Sequence, residues 1–206
     1  MKRLKLPPTK SALLALKRRT RFLHQGHDML ERKRELLTRL VYERLKEYRS
    51  LRKEARSELE QAYRWLGIAH LRMGSHMLRQ SALGLRPALR VEILHRSSLG
   101  VEYPAVTAEA LPLEPVGLMW TDPSFDEART RLAQLAVLLA RLGEAETALW
   151  RLLAEQRKTQ KRVNALKYNI IPSHEQSIRH IESVLEEEDR NTLFQLKLLR
   201  EQTAPG

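Results

Sequence analysis

The sequence predicts an all-α-dominated fold: a long antiparallel two-helix coiled coil carrying a small mixed insert with a short β-hairpin. Three observations predict it. Over 124–200, Ala128, Leu132, Leu135, Leu139, Leu142, Leu149, Leu153, Val163, Leu166 and Ile170 recur every three or four positions, which keeps one apolar stripe along a helix. A stripe that long cannot bury itself, so a second helix of similar length must lie against it, and 11–83 carries one. Between them, Gly84, Pro87, Gly100, Pro104, Pro112, Pro115, Gly117 and Pro123 punctuate the chain and rule out one continuous helix.

In chain order, 1–10 is an N-terminal tail broken by Pro7-Pro8, after which Thr9 or Ser11 caps the first helix over 11–83. Its seam runs through Leu37, Val41, Tyr48, Leu59, Leu66 and Met73, with Ala55, Ala62 and Ala69 at seven-residue steps where small side chains let helix axes approach. At about 1.5 Å per residue this helix is on the order of 100 Å long. Within the insert, 84–123, Val91, Ile93, Val101 and Tyr103 alternate with polar neighbours around Ser97-Ser98-Leu99-Gly100. That is a hairpin with a loop longer than the tightest type, and Pro104 belongs at its edge or end.

The second helix covers 124–200, followed by a C-terminal tail, 201–206. Pro172 removes a backbone hydrogen bond and collides with the carbonyl of Tyr168, so a helix bend is expected there. Beyond it the seam continues through His174, Ile178, Ile181 and Leu185, a spacing that disturbs the supercoil. The insert should cap the far end of the helix pair, with both chain termini meeting at the other. A turn centred on the insert makes opposed residue numbers sum to roughly 207. His27 then falls near His180, Gly26 near Ile181 and Ala62 near Ala145, while Gln156 and Thr159 meet Leu51 and Tyr48 as polar positions that set register.

Composition limits the alternatives. Of 206 residues 30% are charged and only 5% aromatic, which suits a thin seam better than a thick core. Cysteine is absent, which excludes disulfides and thiolate metal sites. The most apolar run, Leu132–Leu142, contains Gln134 and Arg141 and is shorter than the roughly 18 residues of a membrane span; no secretory signal opens the chain. The expectation is a soluble protein without direct membrane insertion.

Charge is uneven: 1–56 carries 18 Lys/Arg against 6 Asp/Glu, a net +12, and the rest is balanced at 19 of each. A basic helix can bind nucleic acid, yet no aromatic stacking platform accompanies it. A solvated face, or one that meets an acidic protein, is the preferred reading.

Catalytic patterns are absent. There is no phosphate-cradling G-x-x-x-x-G-K-[ST] loop, no G-x-S-x-G elbow and no H-E-x-x-H helix. His24 and His27 lie three apart on one face and His180 can approach from the partner helix. Without a nearby carboxylate they read as polar interface positions, and no metal, cofactor or catalytic residue is assigned. Glu186-Glu187-Glu188-Asp189 point in different directions along a helix and form an acidic collar.

Two strings are more specific. GHDMLERKREL spans Gly26–Leu36, and RVNALKYNIIP spans Arg162–Pro172, followed by Ile178, Ile181, the acidic Glu186–Arg190 segment and LFQLKLL, Leu193–Leu199. Together with Gly100-Val101-Glu102-Tyr103-Pro104 they resemble, in order and over nearly the whole chain, the D subunit of the V-type and A-type rotary ATPases. The strings rest on Gly26 and His27 in the first helix and on Arg162, Val163, Asn164, Ala165 and Leu166 in the second. Departures from the family pattern include Met29, Glu31, Arg32, Glu35 and Lys167, all on helix surfaces.

The resemblance implies a non-catalytic central-stalk rotor shaft in a V-type ATPase or ATP synthase. Such a shaft is an asymmetric axle inside the hexamer of catalytic and noncatalytic subunits, coupling ATP hydrolysis or synthesis to ion transport through a membrane ring. Implied partners are those ring subunits, the F subunit of the central stalk and the connector above the membrane ring, with a cytoplasmic location peripheral to the membrane. The terminal end would then lie in the bore, with Lys10, Lys17, Arg18, Arg21, Lys33 and Arg34 facing acidic or carbonyl-rich loops. Leu193, Phe194 and Leu196 would serve as an apolar bearing or complete the seam, and the bend at Pro172 would make the axle eccentric. The alternatives are a basic coiled-coil nucleic-acid-binding protein, whose affinity would fall steeply with salt, and a scaffolding rod that forms parallel dimers.

Overall fold

The computed structural model describes residues 7–116 and 121–203; the outermost residues of both expected tails, and Gly117, lie outside them. The element order is α1 (Lys10–Leu83), β1 (Leu89–Ser98), β2 (Val101–Ala110), α2 (Pro123–Ala165), a π-helical turn (Leu166–Ile170) and α3 (Ile171–Thr203). The fold class is the expected one, long helices with a two-stranded antiparallel hairpin. Contacts divide the chain into two compact units, one built from its two ends up to Leu36 and from Arg157, the other from Leu37–Gln156.

Thr9 is the N-cap of α1: its Oγ1 accepts from the amide of Ala12 at 3.2 Å and its carbonyl accepts from the amide of Leu13 at 3.0 Å. In the unit formed by Leu37–Gln156, Ala55, Ala62 and Ala69 are buried on α1 and Ala128, Ala145 and Ala148 on α2, so the seven-residue alanine stripe is seam, as expected. Leu59 and Leu139, expected in the seam, are instead exposed.

The register departs from roughly 207. In this unit Arg72 meets Asp122 at 3.2 Å and Arg131 meets Gln61 at 3.0 Å, pairs summing to 194 and 192. The reason is an asymmetric turn: α2 starts beside Arg72, while α1 runs on to Leu83 through a break at Gly74, whose φ of 74° and ψ of 161° are non-helical. That conformation belongs almost exclusively to glycine. Asp122 caps α2, accepting from the amide of Ser124 at 3.0 Å and from its hydroxyl. Those two bonds, the hydroxyl foremost, and Arg72 hold the Asp122 carboxyl below its ordinary range.

The hairpin also differs from expectation. Its loop is the tightest type, Leu99-Gly100 alone, with both residues left-handed at φ 52° and 76°, the twist a two-residue turn requires. Paired residue numbers sum to 199, an odd number, so odd positions of β1 share a face with even positions of β2. The buried Val101 and Tyr103 therefore point to the face opposite that of Val91 and Ile93, which are exposed. Pro104 sits on an edge strand, as expected, in mid-strand opposite His95. Ser98 and Val101 flank the turn as a hydrogen-bonded pair, and the ladder continues in phase to the amide of Leu111, which donates to the carbonyl of Ala88 at 2.9 Å. Even positions of β2 therefore turn their backbone groups outward, and the missing N–H of Pro104 costs the ladder nothing.

That outer edge of β2 is met by α2. Glu144 accepts from the amide of Val106 at 3.0 Å and Arg151 donates to the carbonyl of Glu102 at 2.8 Å. Val101 joins Leu37 and Leu152 in one buried cluster, with Leu40 and Val41 packed against it. Hence the insert does not cap the far end of the helices; it folds back along them, because unpaired edge groups and the apolar face of Val101 and Tyr103 find partners there. Beside Tyr103, burial opposes the charge on Arg44, but its 2.8 Å bond to Glu47 and the Tyr103 hydroxyl outweigh burial and raise its pKa.

Candidate functional site

The unit formed by the two chain ends carries the residues that the sequence singled out. Its seam comprises Leu16 and Thr20 from α1, Thr159 and Val163 from α2, and Ile171, His174, Ser177 and Ile181 from α3, all buried. Over this seam lies a ladder of ion pairs. Lys10 meets Asp189 at 3.3 Å, Lys17 meets Glu182 at 2.6 Å and His24 meets Glu175 at 3.3 Å. Each pair sums to 199, and each strand of the ladder advances by seven residues, as a coiled coil dictates for positions flanking the seam. The two chain ends thus run side by side, as expected, but about two helical turns out of the expected register. His27 consequently lies away from His180; its Nδ1 is 3.2 Å from Asp28 Oδ1, and His180 is exposed.

The two motif strings meet across the helices. Arg34 donates to Gln160 Oε1 at 3.2 Å, and Gln160 Nε2 donates to Asn164 Oδ1 at 2.8 Å. Arg34 also pairs with Glu31 on its own helix. Of the strings' remaining residues, Val163 is 2% exposed, whereas Gly26, His27, Ala165 and Leu166 are half-buried and Arg162 is exposed. A Cβ on Gly26 would meet no atom within 4 Å, so this glycine is not required by packing inside the chain.

Pro172 is the second residue of α3, a place where its missing N–H is tolerated. The second long helix is therefore not one α-helix: it passes through the π turn, in which the amide of Ile171 donates to the carbonyl of Leu166, five residues back. His174 donates from Nδ1 to the carbonyl of Ile170 at 2.9 Å. Lys167 lies over the Tyr168 ring at 5.5 Å.

The basic residues separate into two groups. Lys10 and Lys17 are in the ladder; Lys33 and Arg34 are half-buried and engaged. Arg18 and Arg21 are exposed and have no carboxylate partner among the described residues. Past Leu185 every described position to Arg200 is exposed, including Leu193, Phe194 and Leu196 at 63%, 63% and 57%. Among the described residues nothing on α1 lies opposite these three side chains, since α1 begins at Lys10, which already lies beside Asp189.

Sequence reasoning missed a second apolar row. Phe22, Met29 and Leu36 are exposed on α1 at seven-residue steps; the spacing was readable, but a heptad apolar row is read by default as seam. Among the described residues no group of three or more His, Asp or Glu is placed to hold a metal ion, and no helix is long and apolar enough to cross a membrane.

The family model for the ATP synthase D subunit matches residues 12–201. The V-type ATP synthase D subunit of Thermotoga neapolitana is 37% identical over 198 residues, covering 96% of this chain and 98% of the relative. The A-type ATP synthase D subunit of Pyrococcus furiosus is 33% identical over 201 residues, covering 96% and 94%. That of Methanosphaera stadtmanae is 32% identical over 197 residues, covering 94% and 92%.

Proposed function

The chain belongs to the ATP synthase D subunit family, and from that premise we propose that it is the central-stalk rotor shaft of a V/A-type ATP synthase. It carries no catalytic site of its own in this reading. Its terminal unit enters the bore of the hexamer of catalytic and noncatalytic subunits, other parts of it bind the F subunit and the connector to the membrane ring, and it works at the cytoplasmic face, peripheral to the membrane. Rotation couples ATP hydrolysis or synthesis to ion translocation. A shaft biases nucleotide sites only if its contacts differ in free energy between their open and closed forms, about 1.4 kcal/mol for each tenfold shift.

The observation that carries this reading is the unit built from both chain ends. It is closed on its seam by the ladder, yet it presents Arg18, Arg21, Phe22, Met29, Leu193, Phe194 and Leu196 outward. Cations and apolar side chains left exposed on a lopsided helix pair suit a surrounding protein wall. Lys10 and Lys17 are already engaged with carboxylates of the same chain, which leaves less of the basic face for nucleic acid. The test is Arg18→Glu with Arg21→Glu in the assembled complex. ATP hydrolysis should continue while ion pumping falls at least about tenfold, with the free chain as helical and stable as before, because both positions are exposed. Unchanged pumping and torque would refute the assignment.

A further inference from the structure

The two edges of the hairpin are treated differently by the rest of the chain. The outer edge of β2 is interrupted by Pro104 and met by Glu144 and Arg151. Among the described residues β1 has neither protection. Its ten residues contain no proline and no lysine, and all from Arg90 to Ser97 are exposed. Even positions of β1 bond to β2, so Val91, Ile93, His95 and Ser97 turn their N–H and C=O groups away from the hairpin. A long edge of this kind is a template for another strand.

The side chains select which strand. An antiparallel partner must set outward-facing positions opposite outward-facing positions, which leaves few registers for a second copy of β1. A two-fold axis through Ile93 would oppose Arg90 to Arg96 twice, and one through Glu92 would oppose that residue to itself. An axis through Leu94 aligns 90–98 almost end to end. It places Glu92 opposite Arg96 of the second copy, Leu94 opposite Leu94, and Arg96 opposite Glu92. These are non-hydrogen-bonded positions, where facing side chains are closest. Glu92 and Arg96 have no ion-pair partner among the described residues, and Leu94 is 62% exposed.

We propose that the free chain forms a two-fold dimer in which β1 pairs antiparallel with β1 of a second copy about Leu94, making a four-stranded sheet. The interface is isologous, so each substitution acts twice. A single strand edge buries less than the roughly 1,200 Å² of standard interfaces, so the dimer is weak, dissociating in the micromolar range.

Sedimentation equilibrium of the purified full chain at low salt, over a concentration series through that range, tests this. The wild type should pass from monomer to dimer. Glu92→Arg alone and Arg96→Glu alone should each raise the dissociation constant about tenfold or more, by setting like charges opposite each other twice. The double variant carrying both should return it to near the wild-type value. Ile93→Pro removes an outward N–H without touching the bonds to β2 and should also abolish dimerisation. A wild type that stays monomeric throughout overturns the proposal, as does a dimer indifferent to the single charge reversals or one that the double variant does not restore. None of these outcomes bears on the rotor reading, which depends on Arg18 and Arg21.

Discussion

Nζ of Lys17 lies 2.6 Å from Oε1 of Glu182, so a side chain near the start of the polypeptide is held against one near its end. Both are partly exposed, and a pair of this kind contributes roughly 0–1 kcal/mol. Its value is positional, since the same seven-residue advance relates it to Lys10–Asp189 and His24–Glu175. Lys17→Glu should lower the melting temperature slightly, and adding Glu182→Lys should restore it. A double-mutant cycle by thermal denaturation checks this; zero coupling would mean that the seam alone sets the register.

Acid should weaken the start of α2. The hydroxyl and amide of Ser124, and then Arg72, depress the pKa of Asp122 in the folded chain, so the unfolded chain takes up this proton more readily. The contribution of Asp122 is therefore complete above the ordinary carboxylate range and drains away as pH falls through its lowered folded value. Ser124→Ala should reduce stability at neutral pH, and the gap from wild type should close in acid. Melting curves over pH follow it; a gap that widened in acid would reverse the sign and contradict the assignment.

Leu99 is a non-glycine residue at φ 52°, a conformation that costs roughly 1–2 kcal/mol for an ordinary side chain. Asparagine tolerates it. Leu99→Asn should stabilise the chain by about 1 kcal/mol, measured by urea denaturation. A loss of stability would show instead that the Leu99 side chain holds the turn through its own contacts.

Phe194 and Leu196 should be dispensable for the free chain and important for its assembly. Exposed positions without partners usually alter stability by less than about 0.5 kcal/mol. Phe194→Ser with Leu196→Ser should leave the melting temperature in place and weaken incorporation into the ATP synthase, measured by co-purification. Full incorporation and normal pumping would remove both residues from the contact surface.

The parts of this fold legible in the sequence are those governed by period. The alanines at 55, 62 and 69 are buried as their spacing implies, and Thr9 caps α1 as an N-cap residue before a periodic run should. Register was harder, because it depends on where α2 starts relative to the break at Gly74, and a lone glycine in a helical pattern does not announce a positive φ. The hairpin loop is shorter than its sequence suggests because leucine is a poor signal for the first position of a two-residue turn. At the candidate site the exposed cations were visible in composition. Nothing local could tell Arg18, which has no carboxylate partner among the described residues, from Lys17, which faces Glu182, since that difference is made by residues more than 160 positions away.

The π turn at Leu166–Ile170 has a further bearing on how this chain tolerates change. One surplus residue in a helix rotates everything beyond it by about 100° and advances it by about 1.5 Å. The aim of Glu175, Glu182 and Asp189 toward α1 is thus set by a count of residues, whatever their chemistry. Substitutions at the exposed Lys167, Tyr168 or Asn169 leave that aim intact, whereas a single deletion or insertion among them turns the carboxylates more than a quarter of a revolution off target. The segment behaves as an indexing notch: permissive in composition and intolerant in length.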